Sequence, residues 1–445
     1  MLFSNRDLRK LLIPLVIEQV LTALMGTVDT MMVTRVSSAA ISGVSLVDSI
    51  NKLVLFLFSA IGTGGSILCA QYLGHKDKKD SDEAARQVIL TSAALSLVVT
   101  VFCLSCYKWL LRVIFGTVEP DVMASAIEYF RITIFGYPAI AIFGAGAALY
   151  RAGGNSRLPM IISVSSNLLN IDGNALLIFG FRMGAAGAAL STVICQWAAA
   201  SAVFICQCRP GQTVDLGRLS SIRPRPAIIW LVLCVGLPTG VENSMFQLGK
   251  LVVQSTVATL GTTAIAANAI IAVLEMLSSM PSMGIGTGLV TVAGQCVGAG
   301  ELDQARHYIK KLTLWSFLAL FVCSWAIYFL TAPVTRLAGM EPEAAALTVR
   351  IMLVMSILKP FTWPLSFTPI NGMRAAGDVK YVMVIASISM WVFRVGLSLL
   401  LCRVLHVGLM GIWWGYLADW AFRSVMFTHR YFSDKWHSHK IIGDA

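Results

Sequence analysis

VILTSAALSLVVTVFCLSCY, residues 88–107, runs for 20 positions without a charge, and LWSFLALFVCSWAIYFLTAP, residues 314–333, does the same in the other half of the chain. A helix rises 1.5 Å per residue, so about 20 apolar residues cross the hydrocarbon core of a bilayer. Working outward from these two runs, the apolar pattern predicts about twelve spans: 11–34, 41–73, 88–107, 124–150, 158–180, 184–208, 227–259, 263–298, 312–334, 344–372, 381–405 and 408–431. Hydrophobic residues make up 57% of the chain and charged residues 13%, about half the share found in soluble domains. Mean hydropathy is +0.75. An all-α integral membrane protein is expected. The first apolar run is too long for a cleavable secretory signal, so the spans themselves are expected to direct insertion.

The net charge of +11 reflects topology, not nucleic-acid binding. Lys and Arg collect in alternate loops: Arg6, Arg9 and Lys10; Lys76, Lys78, Lys79 and Arg86; Arg151 and Arg157; Arg209, Arg218, Arg223 and Arg225; Arg306, Lys310 and Lys311; Arg374 and Lys380. The intervening loops hold only Arg35, Lys108, Arg112, Arg182, Arg336 and Arg403. This positive-inside bias predicts both termini in the cytoplasm, in a bacterial inner membrane. Ten cysteines lie almost wholly in apolar runs. Cys103 and Cys106 lack the neighbouring His or second pair that a metal site needs, so they read as small buried hydrophobes.

The chain also repeats itself. Pro14-x-x-x-Glu18 recurs as Pro238-x-x-x-Glu242, Gly62-Thr63-Gly64 as Gly286-Thr287-Gly288, and Gln71-x-x-Gly74 as Gln295-x-x-Gly298, each 224 positions on. Arg151-Ala-Gly-Gly154-Asn155 returns 223 positions later as Arg374-Ala-Ala-Gly377-Asp378, and Gly184-x-x-Gly187 returns at 224 as Gly408-x-x-Gly411. Five ordered matches at a near-constant offset mark a duplication. It predicts lobes at 1–208 and 227–445, six spans each, joined by a cytoplasmic linker at 209–226. An even number of spans per copy keeps both in one orientation, with a cleft between them, the plan of transporters whose halves rock about a mid-membrane site. The repeated glycines suit close helix contact. No Gly-x-x-x-x-Gly-Lys-Ser/Thr loop is present, which argues against ATP-driven pumping by this chain.

An ionisable group in a span costs about 2.5 kcal/mol or more, so each needs a partner, a wet cavity or a job. Glu18 and Glu242 occupy equivalent places, each one turn after a proline that opens the helix and frees a carbonyl. Both are candidates for cation coupling and for the substrate cavity. Asp29 lies in the first span, while Asn167, Asn170, Asp172 and Asn174 crowd the fifth. Asn170 and Asn174 share a face at i, i+4, and Asn167 joins them at i, i+3. With Thr192 of the sixth span they offer an oxygen-rich pocket for Na⁺, or for a proton on Asp29. The competing reading is a polar clamp between helices. Met245 and Phe246 are candidates to line an adaptable substrate cavity together with Asn167 and Asp172, with Glu275 a further acidic candidate. Lys250 and Arg394 either pair with carboxylates or line the cavity, and Asp48 and Lys52 are placed to neutralise each other.

These residues together resemble the multidrug and toxic compound extrusion (MATE) family over nearly the whole chain. The matching stretches include Val28-Asp29-Thr30, Gly62 to Gly74, Arg151 to Asn155, NIDGNALLIFG from Asn170, GAAGAALST from Gly184, GTGLVTVAGQCVG from Gly286 and Arg374 to Asp378. The resemblance implies a V-shaped pair of six-helix lobes that export organic cations or amphiphiles in exchange for Na⁺ or H⁺. It implies a cation site in the N-terminal lobe at Asp29, Asn170 and Asn174. Asn174 follows the NorM-type branch, where DinF-type members carry an aspartate, and Asp172 falls two residues early. NorM-type acids in the seventh and tenth helices are displaced or missing: Glu242 lies about one turn before Phe246, and Trp363-Pro364 replace the aspartate. Asp29 matches Val253 and Asn170 matches Phe393, so coupling is expected to favour the N-terminal lobe. The expected function is secondary antiport by alternating access, without an organic cofactor, by a monomer among membrane lipids. The alternatives are a lipid-linked oligosaccharide flippase of the same superfamily, which calls for a more basic interior, and an integral-membrane enzyme, for which no catalytic constellation is found.

Overall fold

The computed structural model describes residues 2–33, 38–116, 118–217, 223–437 and 441. Among them helix is the only regular secondary structure, joined by short turns and loops, with no strand. Its helices are α1 (Asn5–Val33), α2 (Ser38–Gly74), α3 (Lys78–Phe115), α4 (Pro120–Ala152), α5 (Arg157–Gly180), α6 (Gly184–Gln207), α7 (Pro226–Ala258), α8 (Thr262–Gly298), α9 (Leu302–Leu337), α10 (Pro342–Ala375), α11 (Val379–Val404) and α12 (Leu409–Phe432). Ten of these, α2 to α11, are long and apolar enough to cross a membrane. Every predicted span coincides with one helix. Several helices overshoot the bilayer: α3 has 38 residues and is about 57 Å long.

Local sequence sets the helix ends. Asp77 caps α3 by accepting from the Asp80 amide at 3.0 Å. Prolines open α4 and α10. Ahead of α1, the Ser4 hydroxyl and amide lie 2.6 and 3.0 Å from Asp7 and hold its carboxyl below the usual carboxylate range. Gly261 and Gly408 precede α8 and α12 with φ of 95° and 71°, a conformation that favours glycine.

By packing, the chain forms two compact units, Leu21–Gly240 and Met1–Val20 with Val241–Ala445. Thus α1 and α7 each divide their length between the units, shortly after Pro14 and Pro238. The duplication and the packing are different divisions of the chain: the first follows covalent repeats, the second follows which helices touch.

One pair of repeated glycines, Gly64 and Gly288, lies where these divided helices pack. In the first unit, a Cβ on Gly64 would fall on the Val232 carbonyl and within 2.9 Å of the Gly236 amide, and one on Gly236 would lie 2.6 Å from the Ala60 carbonyl. In the second, a Cβ on Gly288 would meet the Leu12 side chain, and one on Gly284 would lie 2.9 Å from the Val16 backbone. Helices in a bilayer gain little from excluding lipid, so close backbone approach is what holds them. Gly64 and Gly288 are repeat equivalents and have equivalent jobs.

The linker is not a bare tether. Within the first unit its described part is bound to the start of α3: Asp82 accepts from the Asp215 amide at 2.7 Å, and Arg86 donates to the Leu216 carbonyl at 2.8 Å. Gln87 donates to the Arg223 carbonyl and accepts from the Arg225 amide, at 2.7 and 3.0 Å.

Candidate functional site

In the first unit, α5 and α6 meet through a buried amide–hydroxyl cluster. Asn170 Nδ2 donates to Ser191 Oγ and Thr192 Oγ1, both at 3.2 Å. Asn174 Nδ2 donates to Asn170 Oδ1 at 3.4 Å, and Ser191 Oγ returns a hydrogen bond to the Asn170 carbonyl at 3.1 Å. Gly173 lets the helices approach, since a Cβ there would fall on Ser191 Oγ. Directly after Asn174, residues Ala175–Gly180 are π-helical, a local widening frequent at functional sites.

The structure therefore brings Asn170, Asn174 and Thr192 together, as their spacing predicts. Ser191 was missed because only the interhelical geometry turns it towards Asn170. Asp172 points elsewhere and is exposed, and Asn167 is half-buried. Asp29 lies on α1, but its side chain falls outside the described residues.

The second unit is built differently. Glu18 and Glu242, repeat equivalents, both belong to it by packing and both are buried. Arg374 Nη2 lies 2.5 Å from Glu242 Oε2, so this carboxylate has a cation of its own. Glu275 on α8 is paired with Lys359 of α10 at 2.8 Å. Arg394 is resolved as a carboxylate partner: its Nη2 lies 2.6 Å from Asp419 Oδ2, while Arg423 Nε takes Asp419 Oδ1 at 2.8 Å. Ser389 Oγ also donates to Asp419. Aromatic faces close the Arg394 guanidinium, Tyr416 at 4.2 Å and Phe246 at 4.5 Å. Phe246 also carries the Lys250 ammonium at 4.9 Å, and Met245 beside it is half-buried. Immediately before α11, Asp378 accepts from Arg430 at 2.7 and 3.1 Å.

Lys359, Asp419, Arg423 and Arg430 are charged residues of this unit that the sequence reading did not single out. Their signal was plain: each is ionisable inside an apolar span, and Asp419 and Arg423 are spaced i, i+4. Arg394 lies in a second π-helical stretch, Met390–Leu397, in the repeat counterpart of α5. The distortion recurs in both halves, but amides line one copy and a guanidinium the other. Among the described residues no group of three or more His, Cys, Asp or Glu is placed to hold a metal ion.

The MatE family model matches the chain twice, over residues 14–176 and 238–400, a displacement of 224 that reproduces the internal repeat. The chain belongs to the MatE family. It is accordingly an integral membrane transporter of the multidrug and toxic compound extrusion type, not an enzyme. Family members exchange small organic solutes against Na⁺ or H⁺ gradients. A probable multidrug resistance protein NorM of Thermotoga maritima is 27% identical over 442 residues, covering 98% of this chain and 94% of that one. The uncharacterized transporter YisQ of Bacillus subtilis is 25% identical, covering 95% and 93%. Among solved structures, an outward-facing multidrug resistance MATE transporter of the MOP superfamily superimposes with a TM-score of 0.87 at 19% identity, over 96% of each chain. A MOP superfamily transporter from Pyrococcus furiosus, described as having a binding pocket of reverse polarity, gives 0.86 at 20% identity, over 96% and 95%. These structural likenesses concern the fold.

Proposed function

We propose that this MatE transporter exports organic cations or amphiphilic solutes in exchange for Na⁺ or H⁺, by alternating access, and that the coupling ion is taken up in the first unit. The observation that carries the placement is the contrast between the units. Asn170, Asn174 and Thr192 form a buried oxygen-bearing cluster on α5 and α6, whereas Glu242, Glu275 and Asp419 already have basic partners. A hard cation takes oxygen ligands, and amide and hydroxyl oxygens beside one carboxylate suit Na⁺. Asp29 supplies that carboxylate, or carries the proton. The transporter works as a monomer with both termini in the cytoplasm, as the positive-inside bias supports.

Reconstitution into proteoliposomes tests this, with Na⁺ and pH gradients imposed separately and a fluorescent organic cation as solute. One gradient is expected to drive uptake or release, and Asp29→Asn to abolish the coupling. Coupled transport that survives Asp29→Asn together with Asn170→Leu would remove the first unit from the mechanism.

A further inference from the structure

Lys359 lies on α10 directly before Pro360 and is 2% exposed. Its Nζ faces four oxygens, all from one stretch of α8: Glu275 Oε1 at 2.8 Å, the Glu275 carbonyl at 2.9 Å, Ser278 Oγ at 2.7 Å and Ser279 Oγ at 2.6 Å. An ammonium has three N–H groups, so four oxygens at these distances surround its charge and do not simply match its donors. The hydroxyls are oriented by their own helix. Ser278 donates to the Glu275 carbonyl at 2.8 Å, and Ser279 lies 2.9 Å from that carbonyl and 3.1 Å from Glu275 Oε1, so each hydroxyl has an acceptor for its proton on α8 and a lone pair left for Nζ.

This arrangement has the chemistry of a hard-cation site: oxygen ligands only, one carboxylate, and hydroxyls held in place without the cation's help. One negative charge matches a monovalent ion. We propose that the Glu275–Ser278–Ser279 turn is a Na⁺ site that the chain keeps filled with its own Lys359 ammonium. The second unit then carries a tethered counterion in place of an exchangeable one. Ser324 and Ser356 border the small gap beside Lys359 and offer further oxygens to a hydrated ion if the side chain is shortened.

The test uses the full chain in lipid nanodiscs, in an Asp29→Asn background that removes the carboxylate of the first-unit reading. Lys359→Ala and Lys359→Ser are compared with that parent, reading bound radioactive Na⁺ and the thermal midpoint in NaCl against choline chloride at equal ionic strength. The expected result is one more Na⁺ per chain than the parent, with a saturable, Na⁺-specific rise in midpoint. Adding Glu275→Gln should remove both. A folded Lys359 variant that binds no additional Na⁺ overturns the proposal, as does binding that persists with Glu275→Gln. Failure to recover either variant folded in NaCl also overturns it, because Na⁺ should replace the ammonium opposite Glu275. The readout is binding, so it stands apart from whether Na⁺ or H⁺ drives transport.

Discussion

Arg374, at the end of α10, closes an ion pair of 2.5 Å with Glu242 of α7, and both side chains are nearly nine-tenths buried. The glutamate of one repeated motif, Pro-x-x-x-Glu, thus meets the arginine of another, Arg-Ala-Ala-Gly-Asp, within one unit. A carboxylate so neutralised is a structural partner first. Removing one member of a buried pair costs about 3–5 kcal/mol, because the other is left uncompensated. Glu242→Gln should therefore lower the thermal midpoint markedly, Arg374→Gln likewise, and the double variant by less than their sum. Additive losses in unfolding measurements would dissolve the pairing.

Asp419 balances two guanidiniums, Arg394 and Arg423, each 1% exposed. Asp419→Asn strands both, so it should be the most damaging single change among the three. A loss above about 3 kcal/mol is expected. Arg394→Met leaves Asp419 paired with Arg423 and should cost less. Detergent-solubilised variants compared by tryptophan fluorescence on heating will rank them.

The cluster at Asn170 bridges α5 and α6. Asn170→Leu removes the side-chain hydrogen bonds to Ser191, Thr192 and Asn174, while both hydroxyls keep their main-chain acceptors, so a loss of about 0.5–1.5 kcal/mol per hydrogen bond is expected. On the proposed function it should also abolish gradient-driven transport, while Asp172→Asn, on an exposed position, should leave transport and stability unchanged. Equal effects of the two substitutions in the vesicle assay would show that the face of α5 does not matter.

Gly64 and Gly144 separate a packing glycine from an idle one. A Cβ on Gly64 meets the backbone of Val232 and Gly236, which cannot turn aside as a side chain can; around Gly144 nothing lies within 4 Å. Gly64→Ala should prevent or severely weaken folding, as seen in the yield of monodisperse protein. Gly144→Ala should be neutral or stabilising by up to about 1 kcal/mol, through helix propensity.

Much of the molecule was legible in its letters. Spans such as 88–107 must be helices in lipid, because each unsatisfied backbone group there costs several kcal/mol. The duplication was legible because Gly64 and Gly288 face the same steric demand in each copy, and so recur. Even the choice of α5 as the polar helix followed from the spacing of Asn170 and Asn174. What the letters could not decide was partnership. Glu242 and Glu275 looked like open acids, and Arg374 like a loop residue, because a chain 132 or 84 residues apart closes an ion pair only in three dimensions. Nor could the repeat show that α1 and α7 divide between two packed units, since covalent order does not say which helices touch. Periodicity is written locally and can be read; a buried charge takes its meaning from whatever the fold sets against it, and only the tertiary structure settles that.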